Sequence, residues 1–165
     1  MKRLSASLLC FVLLFLCACA QSAAPVEPVR AFTCKVNLTQ KDFTATAELS
    51  LDPTGSVRLD FTSPATLEGL TAVFRDGVCS TDLRGIREDI PEGASPAGSC
   101  LRLLAQGLRS YLFTDAPPLV PQEDGSFSAT LPLDGHPTEA VFDGEGRITH
   151  FANADYNVEI SFLHP

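Results

Sequence analysis

The sequence lacks the signatures of the common hydrolase and metal sites. It contains no Gly-x-Ser-x-Gly nucleophile elbow, no HExxH motif and no CxxC pair. Its three histidines have no paired ligand spacing: His136, His150 and His164. Its main acidic cluster lacks the Asp-x-Asp-x-Asp-Gly pattern of a calcium loop: Glu88, Asp89 and Glu92. We therefore expect no enzymatic activity, no cofactor and no metal.

These residues are expected to have structural or solvent-facing positions instead. The acidic cluster is predicted to be solvated, within an irregular surface loop over residues 84–99 that is rich in Gly and Pro. That loop is also a candidate contact for a basic protein partner. His150 is predicted to share a face with Ile148 and to be partly buried and hydrogen-bonded.

Positive charge is scarce in this chain. Twelve Lys and Arg residues oppose twenty Asp and Glu, which gives a net charge of −8, and loss of Lys2 and Arg3 with a signal peptide would lower it to −10. A nucleic-acid partner is therefore disfavoured, as is electrostatic adhesion to anionic lipid headgroups. Any stable association with a membrane requires a lipid anchor.

The N-terminus supplies a route to such an anchor. Lys2 and Arg3 precede the apolar run 8–16, which is far short of the roughly 20 residues that a transmembrane helix needs. The residues Leu16-Cys17-Ala18-Cys19 then resemble the bacterial lipobox, with cleavage before Cys19. We predict a lipoprotein signal peptide over residues 1–18. The alternative is an ordinary signal peptide cut near Ala20 or Ala23.

Acylation of Cys19 would fix the location of the mature protein. Its diacylglyceryl group, with palmitate-type chains, anchors stably because each buried methylene contributes about 0.8 kcal/mol. Residues 19–29 are then a lipidated N-terminus and flexible tether, and residues 30–165 form one domain. The predicted location is extracytoplasmic, on a bacterial membrane.

The cysteine count leaves an odd number in the domain. Of the six cysteines, two leave with the signal peptide and one takes lipid, which leaves Cys34, Cys79 and Cys100. An exported location permits one disulfide, for which Cys79 and Cys100 are the candidate pair. Buried free thiols behave as small hydrophobes, so three core thiols are the alternative.

Period-two alternation of apolar and polar residues predicts about nine antiparallel strands. In the Asp76-Gly77 hairpin, Phe74 should lie opposite Cys79. The predicted strands are 32–38, 43–51, 57–62, 71–75, 78–83, 126–132, 139–142, 147–152 and 157–163.

One convincing helix interrupts these strands, over residues 100–113, with Ser99 as its predicted N-cap. Its apolar residues recur at helical spacing, and the opposite face carries Arg102, Gln106 and Arg109. The pattern predicts an α+β fold: a curved antiparallel sheet, an incomplete β-barrel, wrapped over one amphipathic helix.

A family resemblance lies in the third strand and the hairpin that follows it. Residues 57–70 read VRLDFTSPATLEGL and residues 73–77 read VFRDG, with later similarity at 140–143 and 148–151. An arginine-bearing strand, a Ser-Pro break, a Leu-x-Gly-Leu connector and an Asp-Gly hairpin occur in this order. The chain thereby resembles LolA-like lipoproteins, the lipoprotein-localisation carrier superfamily, particularly lipid-anchored members in spore-forming Firmicutes.

The resemblance implies a concave sheet face that accepts an acyl chain or another hydrophobic ligand. The candidate lining residues are Phe43, Ala45, Ala47, Leu59, Phe61, Phe74, Leu104, Leu108, Phe127 and Ala129. The same residues would equally form a closed core. We expect a noncatalytic, membrane-anchored protein that binds a lipid, an acyl chain or an envelope protein partner. The alternative is a ligand-free adaptor or structural lipoprotein in envelope or spore processes.

Overall fold

A computed structural model describes residues 26–114 and 116–165. The predicted signal peptide and Cys19 lie outside the described residues. Within these ranges the chain forms a single antiparallel sheet of eleven strands and one α-helix. The sheet is curved and does not close, which confirms the predicted α+β half-barrel.

The strands follow one another along the chain in two meanders. Their order in the sheet is β6-β5-β4-β3-β2-β1-β11-β10-β9-β8-β7, so β6 and β7 are the two edges. The strands are β1 Phe32–Gln40, β2 Phe43–Leu51, β3 Val57–Ser63, β4 Leu70–Arg75, β5 Val78–Leu83, β6 Ile86–Pro91, β7 Val120–Pro121, β8 Phe127–Leu133, β9 His136–Phe142, β10 Ile148–Asn153 and β11 Val158–Leu163.

The structure contains two strands more than the nine predicted. β6 lies inside segment 84–99, which was wrongly predicted to be an irregular loop. Arg84 and Gly85, both with positive φ, form a two-residue turn that folds β6 back onto β5. Because β6 is an edge strand with charged residues on both faces, it lacks the apolar alternation of a half-buried strand. β7, the other addition, has only two residues.

The β4–β5 hairpin has the predicted register. Phe74 pairs with Cys79 and Ala72 pairs with Thr81, on either side of Asp76 and Gly77. A bulge in β10, by contrast, shifts the register between Ile148 and His150. Ile148 therefore points into the core while His150 lies on the outer face, so the prediction that they share a face was wrong.

The helix, α1, spans Cys100–Leu112. The side chain of Ser99 makes no capping hydrogen bond, contrary to expectation. The amide of Gln40 takes this role: its Oε1 accepts from the Cys100 N–H at 3.2 Å, and its Nε2 donates to the Gly98 carbonyl at 2.8 Å. No helix in the described ranges has the length and apolarity needed to cross a membrane.

α1 packs its apolar face onto the concave side of the sheet. Its most deeply buried residues are exposed by 1% or less: Leu103, Leu104, Ala105, Leu108, Tyr111 and Leu112. Tyr111 makes edge-to-face contacts with Phe142 and Phe151, at ring-centroid distances of 6.3 and 6.1 Å. Its hydroxyl donates to the Thr138 carbonyl and accepts from the Leu131 N–H. The helix therefore fills the half-barrel with close-packed side chains.

Candidate functional site

The residues predicted to line a hydrophobic cavity lie mainly in this packed interior. Eight of the ten are exposed by 5% or less: Ala45, Ala47, Leu59, Phe61, Phe74, Leu104, Leu108 and Ala129. Phe127 is half-buried, and Phe43, the first residue of β2, is 49% exposed at the rim of the sheet. None of the ten lines the cavities that open beside Arg75 or beside His150.

Two ion pairs connect the helix to neighbouring turns. Near its N-terminal end, Arg102 donates to the Asp134 carboxylate at 2.6 Å and to the Ser95 carbonyl at 2.8 Å. Near its C-terminal end, Arg109 donates to the carboxylate of Glu92. The acidic partners are largely buried, with side-chain exposures of 9% for Asp134 and 8% for Glu92. Removing one partner from such a pair leaves a poorly solvated charge, at a cost of up to about 3–5 kcal/mol.

These pairs correct one expectation. Glu92 was predicted to be solvated with its acidic neighbours, but it is buried beneath Arg109. Arg102 lies on the helix face opposite the apolar stripe, and its contacts with Asp134 and Ser95 leave its side chain only 17% exposed. The spacing of Arg102 and Arg109, two helical turns apart, was a signal that both sit on one stripe of the helix. Their acidic partners come from distant segments, which local patterns do not reveal.

A polar cavity of about 440 Å³ opens beside the Arg109–Glu92 pair. Arg75 also lines it, and Arg75 contributes to two further cavities: one is lined by residues of β3 to β6, and the other by residues of β1 to β4 and the β2–β3 turn. The lining residues are Thr54, Gly55, Ser56, Arg75, Asp76, Gly77, Glu92 and Arg109. This lining offers guanidinium, carboxylate and hydroxyl groups, so the cavity is suited to polar contacts and unsuited to an acyl chain.

The three domain cysteines are buried free thiols. Burial raises the pKa of Cys34 and of Cys100 to about 12, and it raises the pKa of Cys79 together with the nearby Glu92 carboxylate. Because the thiolate is the reactive form, such thiols are poor nucleophiles at neutral pH.

The candidate disulfide pair is divided between the two ends of α1. Cys100 begins the helix, whereas Cys79 lies near Glu92, which binds Arg109 nine residues further along. Nine helical residues span about 13.5 Å, while a disulfide requires Cα atoms within about 7 Å. This arrangement corresponds to the interpretation of three core thiols.

The histidines lie in separate places. His136 contacts Asp155 at 3.1 Å, His150 is partly exposed 4.0 Å from Glu159, and His164 hydrogen-bonds the Ile148 carbonyl at 2.7 Å. Across residues 26–114 and 116–165, no three His, Cys, Asp or Glu side chains are grouped to hold a metal ion.

Comparisons with known proteins give a structural likeness without sequence similarity. No protein-family model matches the sequence, and no curated protein matches it. The fold is similar to the crystal structure of a LolA superfamily protein from Nitrosomonas europaea, with a TM-score of 0.44 and 10% sequence identity. The alignment covers 84% of this chain and 86% of that chain. At this identity no residue role passes from one protein to the other.

Proposed function

We propose that this protein is a noncatalytic bacterial lipoprotein that acts by binding. Its signal peptide directs export, and the lipid on Cys19 holds the domain at the outer surface of the membrane. The lipobox-like residues Leu16 to Cys19 support this anchoring, and the LolA-like sequence features support a binding role over a catalytic one. Envelope or spore processes in a Firmicutes host are the setting that the resemblance suggests.

The packing of α1 into the concave face supports one type of ligand over the other. Leu104 and Leu108 are fully buried there, and exposing each would cost about 1.5–3 kcal/mol. An acyl chain would have to displace the helix and replace these contacts. The closed interior therefore favours a protein partner bound at the domain surface over a hydrophobic ligand held inside the resting domain.

The edge strand β6 is the surface that best fits a protein partner. Ile86 at its start is 78% exposed, and the outer side of the strand has no neighbouring strand among the described residues. Backbone groups on such an edge can pair with an added strand. An adaptor would use this edge and the outer sheet face beside it.

Paired substitutions test this surface. Ile86→Asp alters edge β6, while Val120→Asp alters the other edge, where Val120 is 54% exposed. When the acylated chain is crosslinked in membranes, the Ile86→Asp variant should no longer capture the partner protein, whereas the Val120→Asp variant should still capture it. Equal retention by both variants would show that β6 is not the contact.

The carrier version, in which the interior holds a lipid or acyl chain, predicts a different outcome. Chloroform extraction of the exported Cys19→Ser chain should then yield about one fatty acyl ligand per protein. The closed interior predicts no such ligand. A stoichiometric acyl species would show that α1 opens to admit a ligand.

Anchoring itself is tested by the mass of the mature N-terminus. Acylation predicts a chain that begins at a diacylglyceryl-modified Cys19 and stays with membranes. Cys19→Ser should remain unprocessed at that position and carry no lipid. An unmodified N-terminus near Ala20 or Ala23 would instead show an ordinary secreted protein.

A further inference from the structure

The residues immediately before β1 are docked on the domain. The Val29 N–H donates to the Gly146 carbonyl at 2.9 Å, in the turn between β9 and β10. A Cβ added to Gly146 would come within 2.3 Å of the Glu27 carbonyl oxygen and 3.1 Å of Val26 Cγ1. The close approach therefore requires glycine, which also accommodates φ of +80° at this position. The last residues of the predicted tether, 26–29, lie against the domain.

The docking turn belongs to a defined end of the sheet, which we call the tether end. Strand pairing brings the β2–β3, β4–β5, β7–β8 and β9–β10 turns together there, with the C-terminal end of α1. The opposite end, the far end, holds the β1–β2, β3–β4, β5–β6 and β10–β11 turns and the start of α1. Nine-residue strands such as β1 separate the two ends by roughly 27 Å.

The length of chain between the lipid and the docked segment limits the distance of this end from the membrane. Six residues separate Cys19 from Val26 in the sequence. Seven Cα-to-Cα steps reach at most about 25 Å even when fully extended. The segment that joins the tether end to the lipid-modified Cys19 is therefore no longer than the distance between the two ends of the domain.

We propose that the domain is oriented on the bilayer, with its tether end toward the lipid surface and its far end directed away. This inference rests on the proposed acylation of Cys19. The polar cavity beside Arg75 and Arg109 then faces the membrane, and the start of β6 faces outward. The charges at the tether end are mixed, since Arg147 pairs with Asp143 at 2.8 Å and with Glu145 at 3.1 Å, so the orientation does not depend on electrostatic attraction to the bilayer. The contact of residues 26–29 with the β9–β10 turn determines the orientation.

Two matched labelling sites measure the orientation. Glu123 in the β7–β8 turn and Glu68 in the β3–β4 connector are both exposed, and they lie at the tether end and the far end respectively. Glu123→Cys and Glu68→Cys make the same charge change, and the buried native thiols should label slowly. The acylated full chain, labelled with a donor fluorophore, is reconstituted into phosphatidylcholine vesicles that contain a headgroup-labelled acceptor.

Energy transfer to the bilayer should be clearly stronger from position 123 than from position 68. Gly146→Ala should reduce this difference, because its Cβ displaces Glu27. Gly125→Ala is the control: Gly125 has φ of +84°, but among the described residues its Cβ would meet nothing within 4 Å. Gly125→Ala should introduce the same backbone strain and keep the difference in energy transfer between positions 123 and 68.

The outcomes separate two failures. Equal transfer from both positions in the acylated protein, or stronger transfer from position 68, would overturn the orientation alone. A purified chain without a diacylglyceryl mass on Cys19 would overturn the anchoring and the orientation with it. An identical loss of the difference in Gly146→Ala and Gly125→Ala would show that docking of Glu27 is not its cause.

Discussion

Arg109, near the end of α1, donates a hydrogen bond to the buried carboxylate of Glu92, which follows the edge strand β6. The Glu92 N–H donates in turn to the Gly77 carbonyl at 2.8 Å, in the β4–β5 turn. One residue, Glu92, therefore connects the helix, the edge strand and a neighbouring hairpin, through its carboxylate and its backbone N–H. Together with the Arg102–Asp134 pair, this link ties both ends of α1 to the sheet.

Replacing Glu92 by Gln should weaken this connection. The substitution keeps the side-chain shape but leaves the Arg109 guanidinium without its countercharge, so we expect a loss of about 1–3 kcal/mol in the free energy of unfolding. Urea denaturation measures it. Glu88→Gln, on the exposed part of β6, is the control and should change stability by less than about 0.5 kcal/mol. Equal effects from both substitutions would contradict a specific role for Glu92.

Removing the Tyr111 hydroxyl should also destabilise the domain. Tyr111 is 1% exposed, and its hydroxyl satisfies both the Thr138 carbonyl and the Leu131 N–H. Tyr111→Phe leaves these backbone groups without that partner, which should cost about 1–3 kcal/mol. Tyr156→Phe is the control, since its hydroxyl makes only a 3.4 Å contact with the Asp134 carbonyl. A neutral Tyr111→Phe would show that water or rearrangement satisfies these groups.

Local patterns predicted the sheet because each half-buried strand carries its own signal. Ala45, Ala47 and Leu49 alternate with polar residues and are buried in the structure. The Asp76-Gly77 turn even predicted the register of Phe74 and Cys79, since a two-residue turn leaves only one pairing. Helical spacing predicted α1 in the same way, because its apolar stripe has to pack on the sheet.

The sequence did not predict features that depend on distant partners. Glu92 looks like its acidic neighbours, and only contact with Arg109 explains its burial. A bulge that no local pattern revealed places His150 on the outer face. Packing density was the third gap: alternation shows which residues face inward, but it does not show whether α1 leaves a cavity beside Leu59 or fills the space.

The buried thiols predict how stability depends on pH at the alkaline side. Burial raises the pKa of Cys34 and Cys100 from 9.0 to about 12, so both stay protonated in the folded domain while the unfolded chain loses these protons. Their contribution is complete below pH 9 and is lost as the pH rises toward 12. Each of the two thiols should lower the free energy of unfolding by up to about 1.4 kcal/mol per pH unit in this window.

Urea denaturation between pH 8 and pH 11 measures this loss. The double variant Cys34→Ala with Cys100→Ala should start less stable, because both substitutions remove buried side-chain volume, but its free energy should fall less steeply above pH 9. Thiol titration of the denatured, unreduced mature chain should count three thiols. One free thiol would show that a disulfide exists, and an unchanged slope in the double variant would contradict the role of burial.

Gly107 in the middle of α1 gives a prediction in which packing opposes helix propensity. Alanine at an interior helix position is ordinarily favoured over glycine by about 1 kcal/mol. Here, however, a Cβ would lie 2.3 Å from Phe151 Cε2 and 2.6 Å from Cζ, and Phe151 is itself fully buried. Overpacking of this kind typically costs about 1–3 kcal/mol, so Gly107→Ala should destabilise the domain in urea denaturation.

Gly93→Ala, whose Cβ meets no described atom within 4 Å, should be nearly neutral. A stabilised Gly107→Ala would show that α1 can move away from the sheet at low cost, which is the motion that an acyl ligand would require.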